Sequence, residues 1–410
     1  MNAVGIDVSK GKSMIAVMRP FGEIVASPFE VTHTVSDLSK LARMLKNLNG
    51  ETKVIMECTG NYHLPVACTL HAAGLFVSAV NPQLTHEFGN NTIRKRRSDK
   101  ADAVKIANYG LSCWLELPKY VPEEEIRQSL KAFSRQYNKY NKVKTMLVNN
   151  LTSLLDQTFP GLKDLFASPS RESDGHEKWL DFAARFWHCE CVSAISAKAF
   201  TEAYRKWCKR SGYYCVSAAQ IHAASRQCTA VMPKSETTKS LITLAVAQVN
   251  AVVESLAQTA REMKRLAILL PEYPVVLEFR GVGEILGPQL IAEIGDVRRF
   301  AKKSSLVCFA GLEPTENSSG TFQGDEKISK KGSPHLRKTL FQIMGCLLQH
   351  SPVNDPVYQL LDRKRAENKH YYSYMNAGAA KFLRIYYARV NEYLNEHYPN
   401  HEASDIGCTP

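Results

Sequence analysis

The sequence predicts three parts in chain order. These are an α/β N-terminal domain over residues 1–115, a helical, coiled-coil-like middle over 125–270 with an insert near 165–240, and a mainly α-helical C-terminal domain over 271–400. Three observations predict this. Short apolar runs alternate with helix-spaced leucines in the first part. Apolar residues recur three and four apart along two long stretches of the middle. Beyond Pro274, helix-like segments are separated by Gly- and Ser-containing turns. With 410 residues, 44% of them hydrophobic, the chain can bury more than one core.

The first part can be read element by element. Residues 3–8, 13–18 and 23–31 are apolar-rich and broken by Gly11 and by Pro20-Phe21-Gly22, which predicts a three-stranded meander. Leu38, Leu41, Ala42, Leu45 and Leu48 follow at helical spacing until Asn49-Gly50 stops the run. Residues 53–56 read as a buried strand leading into Glu57, and 62–73 as a helix ended by Gly74. Residues 76–80 read as a strand closed by Asn81-Pro82, and 99–111 as a helix. Three strands, helix, strand, helix, strand, helix is the ribonuclease H-like order.

In the middle, residues 127–155 contain no acid, and Leu130, Phe133, Tyr137, Tyr140, Leu147, Leu151 and Leu154 mark an apolar stripe. Ile242, Val246, Val249, Val253, Leu256, Ala260, Met263 and Ala267 alternate four and three apart, a heptad seam. These helices can pair with each other or with a second subunit, or serve as ordinary core helices. Between them, His188, Cys189, Cys191, Cys208, Cys215, His222 and Cys228 invite a zinc reading. Their spacing lacks the paired CxxC of such sites, so an inserted helical subdomain is the expectation. In the last part, Gly281 and Gly283 sit in an apolar Gly-x-Gly turn of helix-hairpin-helix pattern, which can set backbone N–H groups against a phosphate or be a plain tight turn. Ser333-Pro334 caps a helix over 335–350, and 371–396 reads as another.

Charge and cysteine usage narrow the classes. A formal net charge of +12 favours a polyanionic partner. Eleven scattered cysteines and an N-terminus without a basic-then-apolar leader point to reduced thiols in the cytoplasm. No uninterrupted apolar run approaches the ~18 residues that span a bilayer, so no membrane partner is expected.

Four acids carry the chemistry. Asp7 ends the first apolar run, Glu57 follows another, and Asp99 and Asp102 lie three apart on one face of a helix. Crowded carboxylates repel, so their convergence makes sense around a hard divalent cation, Mg²⁺ or Mn²⁺, and such sites cut or transfer phosphodiesters. Arg94, Lys95, Arg96 and Arg97 precede Asp99, and Lys131, Arg135, Lys139, Lys142 and Lys144 line the acid-free stretch beside Tyr137 and Tyr140. Either group can track a nucleic-acid backbone or be a solvated basic face. Near the other end, Ser318-Ser319-Gly320 precedes Lys330, Lys331 and Arg337. A serine beside glycine on a turn can be approached closely, and the cations can hold a phosphate.

At these residues the chain resembles the DEDD transposases of the one-ten family of bacterial insertion sequences, which are bridge-RNA-guided recombinases. GIDVSK, MECTGNY and SDKADA match the RuvC-like domain of that family. GVGEILGPQLIAEIGDVRRF, FAGLEP, SSG and ISKKGSPHLRK match its C-terminal transposase domain, and residues 165–240 are unmatched. The resemblance implies that Asp7, Glu57, Asp99 and Asp102 form a metal-binding tetrad and that Ser319 is the nucleophile, with Ser318 as the adjacent alternative. It implies a covalent phosphoserine link to DNA, a structured guide RNA that pairs with target and donor, an active site shared between subunits of a homodimer or larger assembly, and a location at the bacterial nucleoid. Rival readings are a RuvC-like nuclease in which water attacks, an actin-like kinase whose later phosphate and adenosine loops are not evident, and a non-catalytic nucleic-acid-binding protein.

Overall fold

Ala3, Val4, Ile6 and Val8 are buried along one strand because that strand runs through the centre of a five-stranded sheet with helices on both faces. The structure is a computed structural model, and it describes residues 1–58, 60–88, 98–167, 170–171, 174–215, 217–314, 318–319, 322–323 and 328–399. Its contacts divide the chain into two units. One comprises Met1–Glu125, Pro274–Gly281 and the chain from Ile294 on; the other comprises Ile126–Tyr273 and Val282–Glu293.

The first unit begins with β1 (Asn2–Ser9), β2 (Lys12–Arg19), β3 (Glu23–Thr32), α1 (Val35–Lys46), β4 (Thr52–Glu57), α2 (Leu64–Ala72), β5 (Phe76–Val80), α3 (Pro82–Phe88) and α4 (Asp99–Ser112). The sheet order is β3-β2-β1-β4-β5. The first three strands form an antiparallel meander, and β4 and β5 run parallel to β1. This is the ribonuclease H-like order expected. Alternation along each strand sends Val4, Ile6, Val54 and Met56 to one face, against Leu38, Leu41 and Leu45 of α1 and Val66 and Leu70 of α2. Ala3 and Ile55 go to the other face, against Ile106 and Ala107 of α4. The helix α3 was not expected: Asn81-Pro82 reads as a strand stop, yet proline is also well suited to a first helical turn.

The second unit holds two long helices, α5 (Glu125–Leu155) and, further on, α10 (Glu236–Ile268). Between them are α6 (Lys178–Arg185), α7 (Glu190–Ser193), α8 (Ala197–Arg210) and α9 (Ala218–Gln227). This insert has its own aromatic core, in which the Phe182 ring lies 4.7 Å from Phe186 and 5.9 Å from Tyr204. Ile242, Val246, Val249 and Val253, the first half of the heptad seam, join that same core. From α5 only Leu151 and Leu155 share it as buried residues, so the insert covers this half of the seam within one chain. The middle of α5 buries Arg127, Leu130, Ser134 and Asn138. Apart from Leu130, that is not the predicted stripe: Phe133, Tyr137 and Tyr140 are only half-buried, and the polar residues Arg127, Ser134 and Asn138 take the inner positions, Arg127 and Asn138 hydrogen-bonded. By length and composition α10 can cross a bilayer, which the absence of an unbroken apolar run had not suggested. Its polar positions, Gln248 and Asn250 among them, break the run without lowering its mean hydropathy enough.

After α11 (Tyr273–Leu277) and α12 (Leu286–Ile294), the chain continues with α13 (Lys303–Phe309), the two-residue strands β6 (Ser318–Ser319) and β7 (Phe322–Gln323), α14 (Pro334–His350), α15 (Pro356–Ala366) and α16 (Tyr371–His397). Leu336, Leu340, Ile343 and Met344 of α14 are buried, as are Met375, Ala379, Leu383 and Tyr386 of α16.

Candidate active site

The four predicted acids come from elements that end at one edge of the sheet. Asp7 is the sixth residue of β1 and sits opposite Met14 of β2, and Glu57 ends β4, opposite Val80 of β5. Asp99 and Asp102 lie in the first turn of α4, where the unpaired N–H groups of the helix start favour negative charge. Ser98 sets that start: its Oγ accepts from Ala101 N at 3.3 Å.

What carries α4 to the end of β1 is a glycine that the sequence reading passed over. A Cβ on Gly5 would stand 2.1 Å from the Ala103 carbonyl oxygen and 2.4 Å from Ala107 N, so only glycine lets the helix lie directly on the strand. Asp7, two residues further along β1, then feels the acids of α4. Burial, followed by the charges of Asp102, Asp99 and Glu57, pushes its carboxyl from the ordinary 3.8 up to about 6. Asp7 therefore feels the charge of each of the other three predicted acids.

Glu57 has a partner that the sequence did not disclose. Thr85 of α3 is fully buried, and its hydroxyl donates to Glu57 Oε1 at 2.5 Å. The only available signal was a small polar residue just after the strand that follows Glu57. The donor set is all carboxylate oxygen, which suits Mg²⁺ or Mn²⁺ rather than a softer metal. Among the described residues, no three His, Cys, Asp or Glu side chains are already arranged around a common ion. The uncompensated charge at Asp7 fits a cation there, and closure on it would draw the carboxylates together.

Ser318 and Ser319 form β6, paired antiparallel with Gln323 and Phe322. The two limbs of this hairpin are held at their base. Pro314 bridges Ile328, Ser329 N donates to Glu313 O at 2.9 Å, and Lys330 N donates to Gly311 O at 3.1 Å. Gly311 and Gly332 cross here so closely that a Cβ on Gly332 would meet Phe309 O at 2.4 Å. Arg337 locks the crossing, donating from Nη1 to Ala310 O at 2.8 Å and Gly332 O at 3.2 Å, and burial lowers its pKa. Lys330 adopts φ 54°, a left-handed backbone that lysine rarely takes. Lys331 reaches Glu87 of α3 at 3.1 Å, two residues past the threonine that holds Glu57.

The remaining predicted contacts separate. Arg94, Lys95, Arg96 and Arg97 lie outside the described residues. On α5, Arg135 is engaged in a two-point pair with buried Glu293 (3.1 and 3.3 Å), and Lys144 pairs with Glu177 at 2.8 Å. Lys139 and Lys142 are exposed, and Lys131 is half-buried. Gly281 takes φ 78° and packs against α14, where a Cβ would be 3.0 Å from Ile343 O. A Cβ on Gly283 would meet nothing within 4 Å. His188 and His222 accept or donate locally, their Nε2 atoms lying 3.1 Å from Met232 O and 2.9 Å from Ile195 O, as core histidines do.

Comparison with known proteins decides the lineage. A transposase family model, DEDD_Tnp_IS110, matches residues 4–160, and the model of the IS116/IS110/IS902 transposase family matches residues 273–359. The chain belongs to this transposase family. Together the two matches take in the sheet with all four acids and the segment with the serine hairpin. The chain is similar to the 43.6 kDa protein of insertion element IS110 from Streptomyces coelicolor, with 23% identity over 67% of this chain. It is also similar to the transposase for insertion sequence element IS1111A from Coxiella burnetii, with 31% identity over 24% of this chain. The match spans 65% of the Streptomyces protein and 27% of the Coxiella protein. Among solved structures, Thermus thermophilus RuvC in complex with a Holliday junction substrate matches at 14% identity and a TM-score of 0.23, covering 28% of this chain and 95% of that one. At that score the likeness carries no weight, and the ribonuclease H-like character of the sheet rests on its strand order.

Proposed function

We propose that this transposase cuts and rejoins DNA at the ends of its element and at a target. In this reading Asp7, Glu57, Asp99 and Asp102 hold Mg²⁺ or Mn²⁺, and Ser319, or its neighbour Ser318, is the nucleophile. The observation that carries the proposal is the mutual repulsion of the four acids at Asp7, a charge excess that burial alone does not explain. The cation would neutralise charge on the phosphodiester. Thr85 fixes the orientation of Glu57, and the Gly311–Gly332 crossing fixes the base from which the serine hairpin rises.

The serine oxygen attacks phosphorus, a phosphoserine ester forms, and the bond to the 3′ oxygen breaks as that oxygen takes up a proton. Reversal by another 3′ hydroxyl rejoins the strand. The ester conserves the bond, so no nucleotide hydrolysis is needed. Guidance by an element-encoded structured RNA, an assembly of two or more subunits and phosphate contacts from Lys139, Lys142 and the Gly283 turn complete the proposal. A helix-hairpin-helix at that turn and a coiled coil along the second half of the α10 seam are its finer parts.

The test is adduct trapping. Protein, element ends, flanking RNA and Mg²⁺ are incubated, denatured and mapped by mass spectrometry. The expected result is DNA attached to Ser319, lost in Ser319→Ala. Cleavage by Ser319→Ala at the wild-type rate would replace the serine mechanism by attack of water. Loss of cleavage in Asp7→Asn with binding retained separates an enzyme from a mere binder.

A further inference from the structure

A cleft of about 1330 Å³ lies among α13, α14 and α16 in the first unit, and no step above uses it. Small-molecule pockets run to roughly 300–1,000 Å³, so this one has room for a segment of a polymer. Its lining includes Lys330, Arg337, Lys338, Lys381 and Arg384 but, among the described residues, a single carboxylate, Glu313. Glu313 already accepts from the Cys308 thiol at 2.5 Å, and Arg337 is occupied by backbone carbonyls. Lys338 and Arg384 are exposed, and Lys381 donates to the neutral Pro356 carbonyl at 2.7 Å, which leaves its charge in place.

The cations are combined with flat rings. Phe341 of α14 and Tyr372 of α16 line the cleft with their centroids 6.3 Å apart, and Tyr372 is 60% exposed. Helical spacing builds the rest: Pro334, Lys338 and Phe341 face the cleft from α14, and Ser373, Ala377, Lys381 and Arg384 from α16. Exposed rings beside cations are the means by which proteins hold single-stranded nucleic acid, because a base offers its face only when unpaired. Pro314, Ile328 and Lys330, the base of the serine hairpin, form part of the same wall, so a strand lying here would be continuous with one presented to that hairpin.

We infer that this cleft binds an unpaired DNA strand, with a base stacked on Tyr372 and phosphates held by Lys381 and Arg384. The inference rests on the DNA-processing function proposed above and assigns the place where a strand is held open beside the nucleophile.

The experiment uses the full chain and a thymidine oligomer of about a dozen nucleotides bearing one 2-aminopurine, whose fluorescence is quenched when it stacks. Wild type and Tyr372→Phe are expected to bind and quench. Tyr372→Ala is expected to bind about tenfold more weakly without quenching, within the range for losing one base–aromatic stack. Arg384→Gln and Lys381→Gln should each lower the slope of log affinity against log salt by about 0.7. Unchanged affinity and quenching in Tyr372→Ala would overturn the inference. So would equal competition by a duplex, by oligouridylate or by polyglutamate, which would assign the cleft to paired DNA, RNA or an acidic peptide. Asp7→Asn separates this inference from the proposed chemistry. If wild type never cleaves element ends but binds the oligomer through Tyr372, the recombinase reading falls and the cleft stands. If cleavage occurs and Tyr372→Ala binds normally, the cleft alone falls.

Discussion

Two charged regions of this molecule are built on opposite rules. At the end of β1, burial and then the charges of Asp102, Asp99 and Glu57 push Asp7 up to about 6, and Lys12, whose charge reaches Asp99, is itself paired with Glu30 at 2.7 Å. Along α5, Arg127 donates from both Nη atoms to Glu272, the second bond at 3.1 Å, and Arg135 pairs at two points with Glu293. Both glutamates are almost fully buried, and each has its complement. Compensated charge is architecture. Charge left in excess waits for something from outside the chain.

The contrast can be broken most severely on the compensated side. Replacing Glu272 by Gln strands the Arg127 guanidinium, which is 7% exposed, and should destabilise the second unit by about 3–5 kcal/mol in urea unfolding. The double replacement Arg127→Met, Glu272→Met should recover most of that loss. If it does not, the pair is more than a matched burial of charge. On the uncompensated side, Asp7→Asn should reduce strand cleavage at least about a hundredfold while leaving thermal stability equal or higher, opposite in sign to Glu272→Gln. Gly5→Ala lies between these cases. Its methyl would strike the backbone of α4, costing about 1–3 kcal/mol and lowering cleavage through displacement of Asp99 and Asp102.

A subtler test uses pH. The folded pKa of Asp7 lies above the ordinary 3.8, so folding favours its protonated form. Stability from this group is fully present below 3.8 and is lost as pH rises through about 6. In metal-free buffer the first unit should therefore lose on the order of 1 kcal/mol between pH 4 and 7, a figure reduced because water screens a half-buried carboxyl. Asp7→Asn should flatten that slope, as calorimetry across the range would show. The smallest effect is expected at the exposed end of α5: Lys139→Gln and Lys142→Gln should each reduce the salt slope of DNA binding by about 0.9 with no change in unfolding.

The sheet was legible because its strands alternate and its helices repeat every three or four residues, so Val4, Ile6 and Leu41 declare their faces. The acids were legible because each ends or begins an element. Gly5 and Thr85 were not, since nothing local says that a helix from a hundred residues away will lie on the glycine, or that a buried hydroxyl will orient Glu57. The inner face of α5 was misread for a related reason: periodicity registers apolar side chains, and Arg127, Ser134 and Asn138 are buried polar ones. The insert was read as an inserted helical subdomain, and helices are what it holds, but its single elements were not legible because its core is aromatic and assembled from four short helices. Arg337 illustrates the limit at the serine hairpin, where a cation suggestive of phosphate ties two carbonyls instead.

That knot has an evolutionary corollary. Pro314 and Ile328 are bridged next to the Gly311–Gly332 crossing, so residues inserted in sequence between them leave the packing at this root in place. Doubling such a span costs only about 0.6 kcal/mol in closure entropy. The sequence between Pro314 and Ile328 can therefore diversify in length and composition among descendants of this chain while its foundation stays the same, an interchangeable bit in a fixed chuck.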